Sequence, residues 1–545
     1  MATKTTSSEK TILATKFLDD IASGTSNVYV GIGHNTQWSG NDTIVDLIFE
    51  NTDYINQVHR NLVAVKRLGV SDIALVTRRK DWIINTPYDA YANNVEMLSY
   101  ERTTNANGTV TRSVVQDFYI EGTNTSFFTD FSAGSIVRLT GDGGLTIPTV
   151  DKEIVTIISD SLMFANSALG YNYTANTPVA VSNSYPDFAY NFYVRNIYDQ
   201  VFVCLANNNG SVSNTMPQIT IGGDLPSDPY IITTDGYKWK YLYTIPGGLK
   251  QKFFSDQWMP IYSDDQVTNS VVDGRLDIIN ILNGGTGYNN SSASFSAPIL
   301  TVIGDGVDAN LTAQIDGTGA IIGINVLNGG SGYTKATIQI SAGVTGSGAI
   351  LQPVIGPPGG WGANIAMQIG ATAVIVACEI ADTELDTIPT TDDLGDFFTY
   401  RQISMLHNPL LANVPIGTSP YANGTNYELA TQVSVSGNLP FGMGHLVYQS
   451  NTGLFPNAYF SGTVVRFDNN INVLHINNLD GTLATQAQLY ATVNSNTLPY
   501  GTTTVFSQVP PSLKPFSGIV KYINNRQEVS RFPLQTESLR FRIEF

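Results

Sequence analysis

The stretch Asp235-Gly-Tyr-Lys-Trp-Lys-Tyr-Leu-Tyr-Thr-Ile-Pro246 indicates the fold more clearly than any other part of the chain. It carries four large aromatic residues at alternate positions: Tyr237, Trp239, Tyr241 and Tyr243. Side chains alternate between the two faces of a β-strand, so this pattern predicts a strand with all four rings on one face. Lys238 and Lys240 would then lie on the other face, towards solvent or an acidic partner.

A row of large rings is typical of a sheet that packs against a core or docks on another protein. We therefore take the four aromatic residues as candidate packing or interface residues. Exposed rings that stack on a sugar are a third alternative, less favoured by the pattern.

The composition predicts a mainly β protein with several domains. The chain has 545 residues, more than one ordinary hydrophobic core holds, and only 13% of them are charged. Long amphipathic helices need charged outer faces, so this low charge favours short strands joined by Gly and Asn turns. We expect multi-layer β-sandwich domains, a few short helices near the N-terminus and a small inserted β-module.

Charge and apolar runs exclude several classes of partner. With 28 basic and 45 acidic residues the net charge is −17, which disfavours nonspecific binding to nucleic acid or to an anionic membrane. The longest apolar run, 371–377, is too short for membrane insertion, and the N-terminus lacks the apolar core of a signal peptide. Cys204 and Cys378 have apolar neighbours, which predicts buried reduced thiols. We expect a soluble protein made in a cytoplasm.

Helical patterns are confined to the N-terminal part of the chain. A helix is expected from Ser8, with Leu13, Phe17 and Ile21 on one face and an end at Gly24. A strand over 28–32 and a second helix from Thr52 or Asp53 follow. The later strand-like runs are 72–77, 114–120, 154–158, 191–196 and 200–206.

An internal repeat interrupts this series of strand-like runs between residues 270 and 362. Ile281-Leu-Asn-Gly-Gly-Thr-Gly-Tyr288 recurs as Val326-Leu-Asn-Gly-Gly-Ser-Gly-Tyr333, a period of 328 − 283 = 45 residues. Each copy predicts a strand, a Gly-rich turn ending in a buried Tyr, and another strand. The expected domains are 1–115 (the N-terminal part of the core), 116–269 (β-rich, with the aromatic strand), 270–362 (the inserted module) and 363–545 (a C-terminal β domain packing with the N-terminal part).

No motif in the chain predicts a catalytic, cofactor-binding or metal-binding site. The Gly-rich turns are similar to calcium-binding β-roll repeats, but Asn289 and Thr334 occupy the Asp position and the period is wrong. No His lies within five residues of another His or a Cys, and there is no Gly-Lys dipeptide for a phosphate loop. A pair of acids for acid–base catalysis could lie within 379–396, although a solvated or docking loop is the commoner meaning of such a stretch.

Two charged segments suggest protein contacts instead. Arg78-Arg79-Lys80 ends a strand pattern, so a structural or protein contact is favoured over nucleic-acid binding. Arg540-Phe-Arg-Ile-Glu-Phe545 alternates strictly and predicts a terminal strand, with Arg540 and Arg542 as candidate interface residues. We expect the acidic 379–396 segment and this basic strand to face complementary surfaces, on each other or on neighbouring subunits.

Several segments, in this order, resemble the baseplate wedge protein family of T-even-type contractile-tailed bacteriophages, the eighth-numbered gene product type. The segments are Phe17-Leu-Asp-Asp-Ile-Ala-Ser-Gly-Thr-Ser-Asn-Val-Tyr-Val-Gly-Ile-Gly33, Ala64-Val-Lys-Arg-Leu-Gly-Val-Ser-Asp72 with Arg78 and Trp82, Asn191-Phe-Tyr-Val-Arg-Asn196, Val203-Cys-Leu-Ala-Asn-Asn-Asn-Gly210, residues 235–246, Tyr400-Arg-Gln-Ile-Ser404 with Asn408-Pro409, and Ser517-Gly-Ile-Val-Lys-Tyr-Ile-Asn-Asn-Arg526 with Gln535-Thr-Glu537. The module at 270–362 departs from this family and resembles modules of other phage tail and fibre proteins.

The resemblance implies a non-enzymatic, largely β structural subunit located in the virion tail baseplate and assembled in the host bacterial cytoplasm. It implies a homodimer that contacts other baseplate wedge proteins, with tail-fibre proteins as a further partner class. A fibre or receptor-binding module for a host glycan is the alternative, and a tail-associated hydrolase using the 379–396 acids is a third hypothesis.

Overall fold

The computed structural model describes residues 7–38, 42–44, 52–91, 103–112, 119–124, 136–139, 150–165, 177–182, 192–220, 230–288, 297–340, 346–381, 384, 388, 390, 398–415, 418–437, 442–492 and 499–545. The chain divides into two compact units. Unit 1 comprises residues 1–15, 75–373 and 544–545, and unit 2 comprises 16–74 and 374–543. The expected mainly β class is confirmed.

Helices are few and short in the described ranges. They are α1 (Ser7–Ala22), α2 (Thr52–Asn61), α3 (Gly247–Phe253), α4 (Asp265–Asn269) and α5 (Ile365–Gln368). The face expected for α1 is wrong in part, because Leu13 is exposed while Thr11, Ala14 and Ile21 are buried. Four residues of an α-helix turn through about 400°, which is 40° more than one full turn, so residues spaced by four drift around the helix. Leu13 therefore lies off the buried face, because a constant face needs a mixture of three- and four-residue spacings.

Strands fill most of the remaining described chain. Up to residue 260 they are β1 (Val28–Gly33), β2 (Leu62–Arg67), β3 (Ile73–Arg78), β4 (Thr103–Arg112), β5 (Tyr119–Thr123), β6 (Ile136–Leu139), β7 (Val150–Ser159), β8 (Leu162–Ala165), β9 (Thr177–Ser182), β10 (Tyr193–Arg195), β11 (Gln200–Ala206), β12 (Ile231–Ile232), β13 (Lys238–Thr244) and β14 (Trp258–Pro260). Within the expected strand 114–120, residues 114–118 lie outside the described residues.

The inserted module and the C-terminal part supply the other strands. In the module they are β15 (Leu276–Thr286), β16 (Leu300–Gly304), β17 (Val307–Ile315), β18 (Ile321–Ser331), β19 (Ala336–Ile340) and β20 (Ser347–Ile355). The later strands are β21 (Ala373–Ile380), β22 (Thr399–His407), β23 (Asn426–Glu428), β24 (Thr431–Val435), β25 (Leu446–Ser450), β26 (Ala458–Asp468), β27 (Val473–Gly481), β28 (Gln488–Thr492), β29 (Gly501–Val509), β30 (Ile519–Ser530) and β31 (Glu537–Glu544).

Unit 2 contains an open sheet and a closed barrel. The sheet has the order β23-β2-β1-β22-β30, with β1 antiparallel to both β2 and β22. The barrel has the order β24-β27-β26-β25-β28-β29 around a buried apolar core that includes Val433, Val464 and Leu489. Closure pairs both edges of every strand, a feature that a local alternation pattern does not reveal.

Unit 1 contains a second closed barrel, a four-stranded sheet and the inserted module. The barrel has the order β4-β5-β8-β7-β6-β9, and the sheet has the order β10-β11-β13-β12. Strand β14 is antiparallel to β3.

The module is built from two copies of a three-stranded unit that exchange strands. The first strands, β15 and β18, are offset by 321 − 276 = 45 residues at their starts and 331 − 286 = 45 at their ends. Each pairs with the third strand of the other copy, β15 with β20 and β18 with β17, while the middle strands β16 and β19 pair together. The module therefore has internal pseudo-two-fold symmetry.

At the repeated Gly-Gly motif the backbones of the two copies lie close together. Gly285 and Gly330 adopt left-handed conformations, with φ of +63° and +65°. A Cβ on Gly285 would lie 2.5 Å from the Ser347 carbonyl oxygen, and one on Gly330 would lie 2.2 Å from that of Val307. Both turn tyrosines, Tyr288 and Tyr333, are buried, as predicted. The motif thus serves chain packing, because a side chain would push the two copies apart.

Candidate functional site

The aromatic strand lies in the interior of unit 1. Strand β13 is antiparallel to β11 on one side and β12 on the other. The rings of Tyr237, Trp239 and Tyr243 have no exposed surface, and Tyr241 is 9% exposed. Fully buried rings of this size contribute mainly through the apolar area that they remove from water.

The expectation that all four rings share one face is wrong for Tyr243. Phe202 of β11 pairs with Tyr241 while the adjacent Val201 pairs with Tyr243, so Leu242 is an extra residue in the ladder. This β-bulge reverses the alternation. Tyr237, Trp239 and Tyr241 pack in one buried cluster, whereas Tyr243 and Leu242 pack in another. The strand therefore anchors two cores, one on each face of its sheet.

The rings on the first face form a compact stack. Tyr237 and Trp239 stack with centroids 5.4 Å apart and planes 13° from parallel. The Tyr88 and Trp239 rings make a T-shaped contact with centroids 5.6 Å apart, and the Phe202 and Tyr241 rings make the same kind of contact at 5.7 Å. Such pairs add about 0.5–1.5 kcal/mol beyond the area that they bury.

Every phenol of the strand has a hydrogen-bond partner. Tyr237 donates to the Ser211 carbonyl oxygen, and Tyr243 donates to that of Pro260 at 3.3 Å. Tyr241 donates to Asp264 Oδ2 at 3.0 Å. Burial raises the pKa of each of these phenols, so they stay neutral at ordinary pH. Since no ring face is exposed, these four residues offer no platform for a sugar.

Asp235 organises the turn that leads into the strand. Its carboxylate accepts hydrogen bonds from the backbone N–H groups of Asn214 and Thr215, at 2.7 and 2.9 Å, and from the Ser213 hydroxyl at 2.9 Å. Although burial opposes it, hydrogen bonding, led by the Thr233 hydroxyl, lowers the pKa of Asp235 to about 2. The turn depends on an ionised Asp235.

The two lysines of the strand do not have the environment expected for a solvent-facing row. Lys238 is half-buried, with Nζ 5.1 Å from the centroid of the Tyr230 ring. Lys240 does face an acidic partner, but this partner is Asp277 of the same chain, at 3.6 Å between Nζ and Oδ1. Burial lowers the pKa of Lys240 and raises that of Asp277, and their mutual attraction opposes both shifts. No local sequence pattern pointed to Asp277, which lies 277 − 240 = 37 residues away.

The basic cluster at residues 78–80 is used within unit 1. Arg78 lies over the Trp258 ring at 4.1 Å, and Arg79 lies over the Phe254 ring at 4.7 Å. Arg79 also pairs with Asp81. These contacts give the cluster a structural role within unit 1, which is one of the two alternatives favoured from the sequence.

A network of charged side chains lies beside this cluster and was not predicted from the sequence. Asp81 also accepts from Arg195 Nε at 2.7 Å, and Asp199 pairs with both Arg195 and Lys250. Burial opposes ionisation of Asp81, but the arginine hydrogen bonds prevail and lower its pKa. The participants come from separate segments of the chain, so spacing gave no signal.

The two C-terminal arginines lie on the exposed side of their strand. In β31, Arg540 and Arg542 are exposed, Leu539 is buried, and Phe541 stacks on Tyr522 with centroids 4.5 Å apart. Of the acidic 379–396 stretch, Glu384 pairs with Lys66 in unit 2, and Glu379 is exposed. Asp382, Asp386, Asp392, Asp393 and Asp396 lie outside the described residues. The proposed match between these two segments stays a prediction.

A metal site and a membrane-spanning helix each require particular side chains. Among the described residues, no group of three or more His, Cys, Asp or Glu side chains is placed to hold a metal ion. Both cysteines are buried and unpaired, as predicted, and burial raises the pKa of Cys378 to about 12. Within the part of the chain that the structure covers, no helix is long and apolar enough to cross a membrane.

No protein-family model matches the chain, and no curated protein matches it either.

Proposed function

We propose that this chain is a structural subunit of a bacteriophage tail baseplate wedge, which dimerises and bridges neighbouring wedge proteins during baseplate assembly. Its place would be the virion tail, reached after assembly in the bacterial cytoplasm. The partners would be a second copy of the chain, other wedge proteins and, at the periphery, tail-fibre proteins.

One observation carries the proposal: the segments that resemble the wedge family meet in space. Segments 17–33, 64–72, 400–404 and 517–526 supply β1, β2, β22 and β30, which are neighbours in the sheet of unit 2. Segments 191–196, 203–210 and 235–246 supply β10, β11 and β13, which are neighbours in the sheet of unit 1. A shared fold would place related segments on adjacent strands, so this arrangement supports the proposal.

The character of the aromatic strand also supports a scaffold. Its rings and hydroxyls are used for packing on both faces of one sheet. A rigid sheet of this kind suits a subunit that must hold its shape while transmitting load between neighbours.

The mass of the purified chain tests the proposal. One chain weighs 58.9 kDa, and light scattering coupled to size exclusion should give twice this value. A trimer would favour the fibre or receptor-binding alternative, which can then be tested by glycan binding with and without residues 270–362. A monomer at all concentrations would contradict the wedge proposal.

Surface charge gives a second test of assembly. We expect replacement of Arg540 and Arg542 by Gln to weaken dimer or wedge assembly, and we expect added salt to do the same, because exposed charges act mainly on register and association rate. Lys521→Gln, which removes another exposed charge of unit 2, serves as the matched control. Assembly that is insensitive to both salt and the arginine changes would refute this role.

A further inference from the structure

Unit 2 contains a cavity that none of the sequence motifs predicted. It lies where the end of α2, strand β27 and the 511–517 segment meet, and its volume is ≈ 110 Å³. Its walls are largely apolar: Leu406, Leu429, Ile476, Leu479 and Leu513. One water molecule needs roughly 10–15 Å³ by this kind of measure, so the cavity has room for an aliphatic side chain.

The charge at this cavity is opposite in sign to that of the whole chain. Arg60 and Lys514 line it, and no Asp or Glu stands among the described residues that do so. The chain as a whole carries a net charge of −17. His59 also lines the cavity, but burial lowers its pKa and leaves it neutral at pH 7. Two permanent cations beside an apolar space favour a ligand with an anionic group next to an apolar one.

The segment beside the cavity is held in one conformation. Phe516 has φ of +57°, which is rare for a bulky residue, and its ring is about half exposed. The Arg60 guanidinium lies 5.9 Å from the centre of that ring. The segment is fixed by the bond from Lys514 N–H to the Leu410 carbonyl oxygen at 2.8 Å and by the Ser517 hydroxyl, which donates to the Lys514 carbonyl oxygen at 2.6 Å. A strained residue held by its surroundings is frequent at binding sites.

We propose that this cavity is a docking site for an acidic peptide segment of a partner protein. An aliphatic side chain of the segment fills the apolar space, and an adjacent Asp or Glu pairs with Arg60 and Lys514. An extended peptide brings these two groups together within two or three residues, which a simple inorganic anion does not. The inference does not depend on the wedge function, because any partner with this chemistry would fit.

Binding of a defined peptide to the full chain tests the proposal. The probe is a fluorescein-labelled, amidated Gly-Leu-Asp-Glu-Gly peptide, followed by fluorescence anisotropy at low salt. Two matched controls replace Asp-Glu by Asn-Gln, or Leu by Gly. We expect each control peptide to bind at least about tenfold more weakly, since each removes one of the recognised groups.

Variants of the chain locate the site. The double change Arg60→Gln with Lys514→Gln should weaken binding of the acidic peptide at least about tenfold, while Arg60→Lys together with native Lys514 should keep most of it. Lys521→Gln lies outside the cavity and should change the affinity less than about twofold. Calorimetric melting of each variant checks that the fold is intact.

Several results would overturn the proposal. Equal binding of the acidic and amide peptides, or equal binding by the native chain and the double variant, would mean nonspecific attraction. Absence of peptide binding at millimolar concentration would contradict a docking site. Binding of benzoate under the same conditions without binding of the peptide would assign the cavity to small carboxylates instead.

Discussion

The aromatic strand and the inserted module show two opposite ways of holding β-structure together. Around β13, large rings fill two cores, and the hydroxyl groups of those rings are satisfied one by one. In the module, the closest approaches are made by glycines whose missing side chains let one copy's backbone reach the other's. The first region depends on side-chain volume, and the second depends on its absence.

This difference determines which substitutions each region tolerates. Removing atoms should damage the aromatic sheet and spare the Gly-rich turns, whereas adding a single methyl group should do the reverse. The two regions nevertheless meet, because Ile278 and Val354 of the module pack in the same buried cluster as Tyr243 of the aromatic strand.

Truncation of Trp239 should have the largest effect. Trp239→Ala removes a fully buried indole stacked on Tyr237, and we expect a loss of about 3–5 kcal/mol of stability in unit 1. The measurement is calorimetric melting of the full chain.

The matched control for Trp239 is Trp239→Phe. The indole Nε1 has no hydrogen-bond partner among the described residues, so this change loses volume without losing a bond. We expect a cost of about 1–2 kcal/mol. A truncation to Ala that costs no more than the change to Phe would contradict a volume-dependent core.

Addition of one methyl group to a module glycine should come next. Gly285→Ala places a Cβ 2.5 Å from the Ser347 carbonyl oxygen in a left-handed residue, and we expect a loss of about 2–4 kcal/mol. Gly330→Ala should behave alike because it is the pseudo-symmetric equivalent. Hydrogen exchange of the module amides measures the loss.

Gly317→Ala provides the control within the same module. No heavy atom lies within 4 Å of a Cβ added there, so its effect should stay within about 0.5 kcal/mol. Similar costs at Gly317 and Gly285 would show that close approach is not what the repeated motif provides.

Acid should weaken the turn before β13 through Asp235. Its folded-state pKa of about 2 lies below the ordinary value of 3.8, so its stabilising contribution is present above about pH 4 and is lost as the pH falls towards 2. Because the carboxylate is only partly buried, we expect on the order of 1 kcal/mol. The measurement is the melting temperature of native and Asp235→Asn chains between pH 2 and 6. Parallel curves for the two chains would exclude this role of Asp235.

Loss of a single hydroxyl should have the smallest effect. Tyr243→Phe removes one 3.3 Å hydrogen bond to Pro260 and leaves the ring in place, so a cost of about 0.5–1.5 kcal/mol is expected. Tyr243→Leu, which removes the ring, should cost clearly more. If both changes cost the same, the hydroxyl and not the ring would hold this end of the strand.

Local sequence patterns predicted many of the strands, but they did not predict the closed barrels, the β-bulge or the contacts between distant residues. The run 200–206 became β11 at the expected bounds, and the Gly-Gly repeat gave the 45-residue offset of β15 and β18, because periodicity and turn chemistry are local properties. The bulge at Leu242, the two closed barrels and the Lys240–Asp277 pair depend on which distant strands meet. The cavity beside Arg60 is likewise assembled from five separate segments, so no local spacing could predict it.

The position and copy number of this chain in an imaged virion test the wedge proposal most directly. The account predicts density that fits the two units in paired copies within the baseplate at the end of a contractile tail, with one copy's surface against the other's. Single or threefold copies at the tip of a fibre, or density outside the tail altogether, would contradict it.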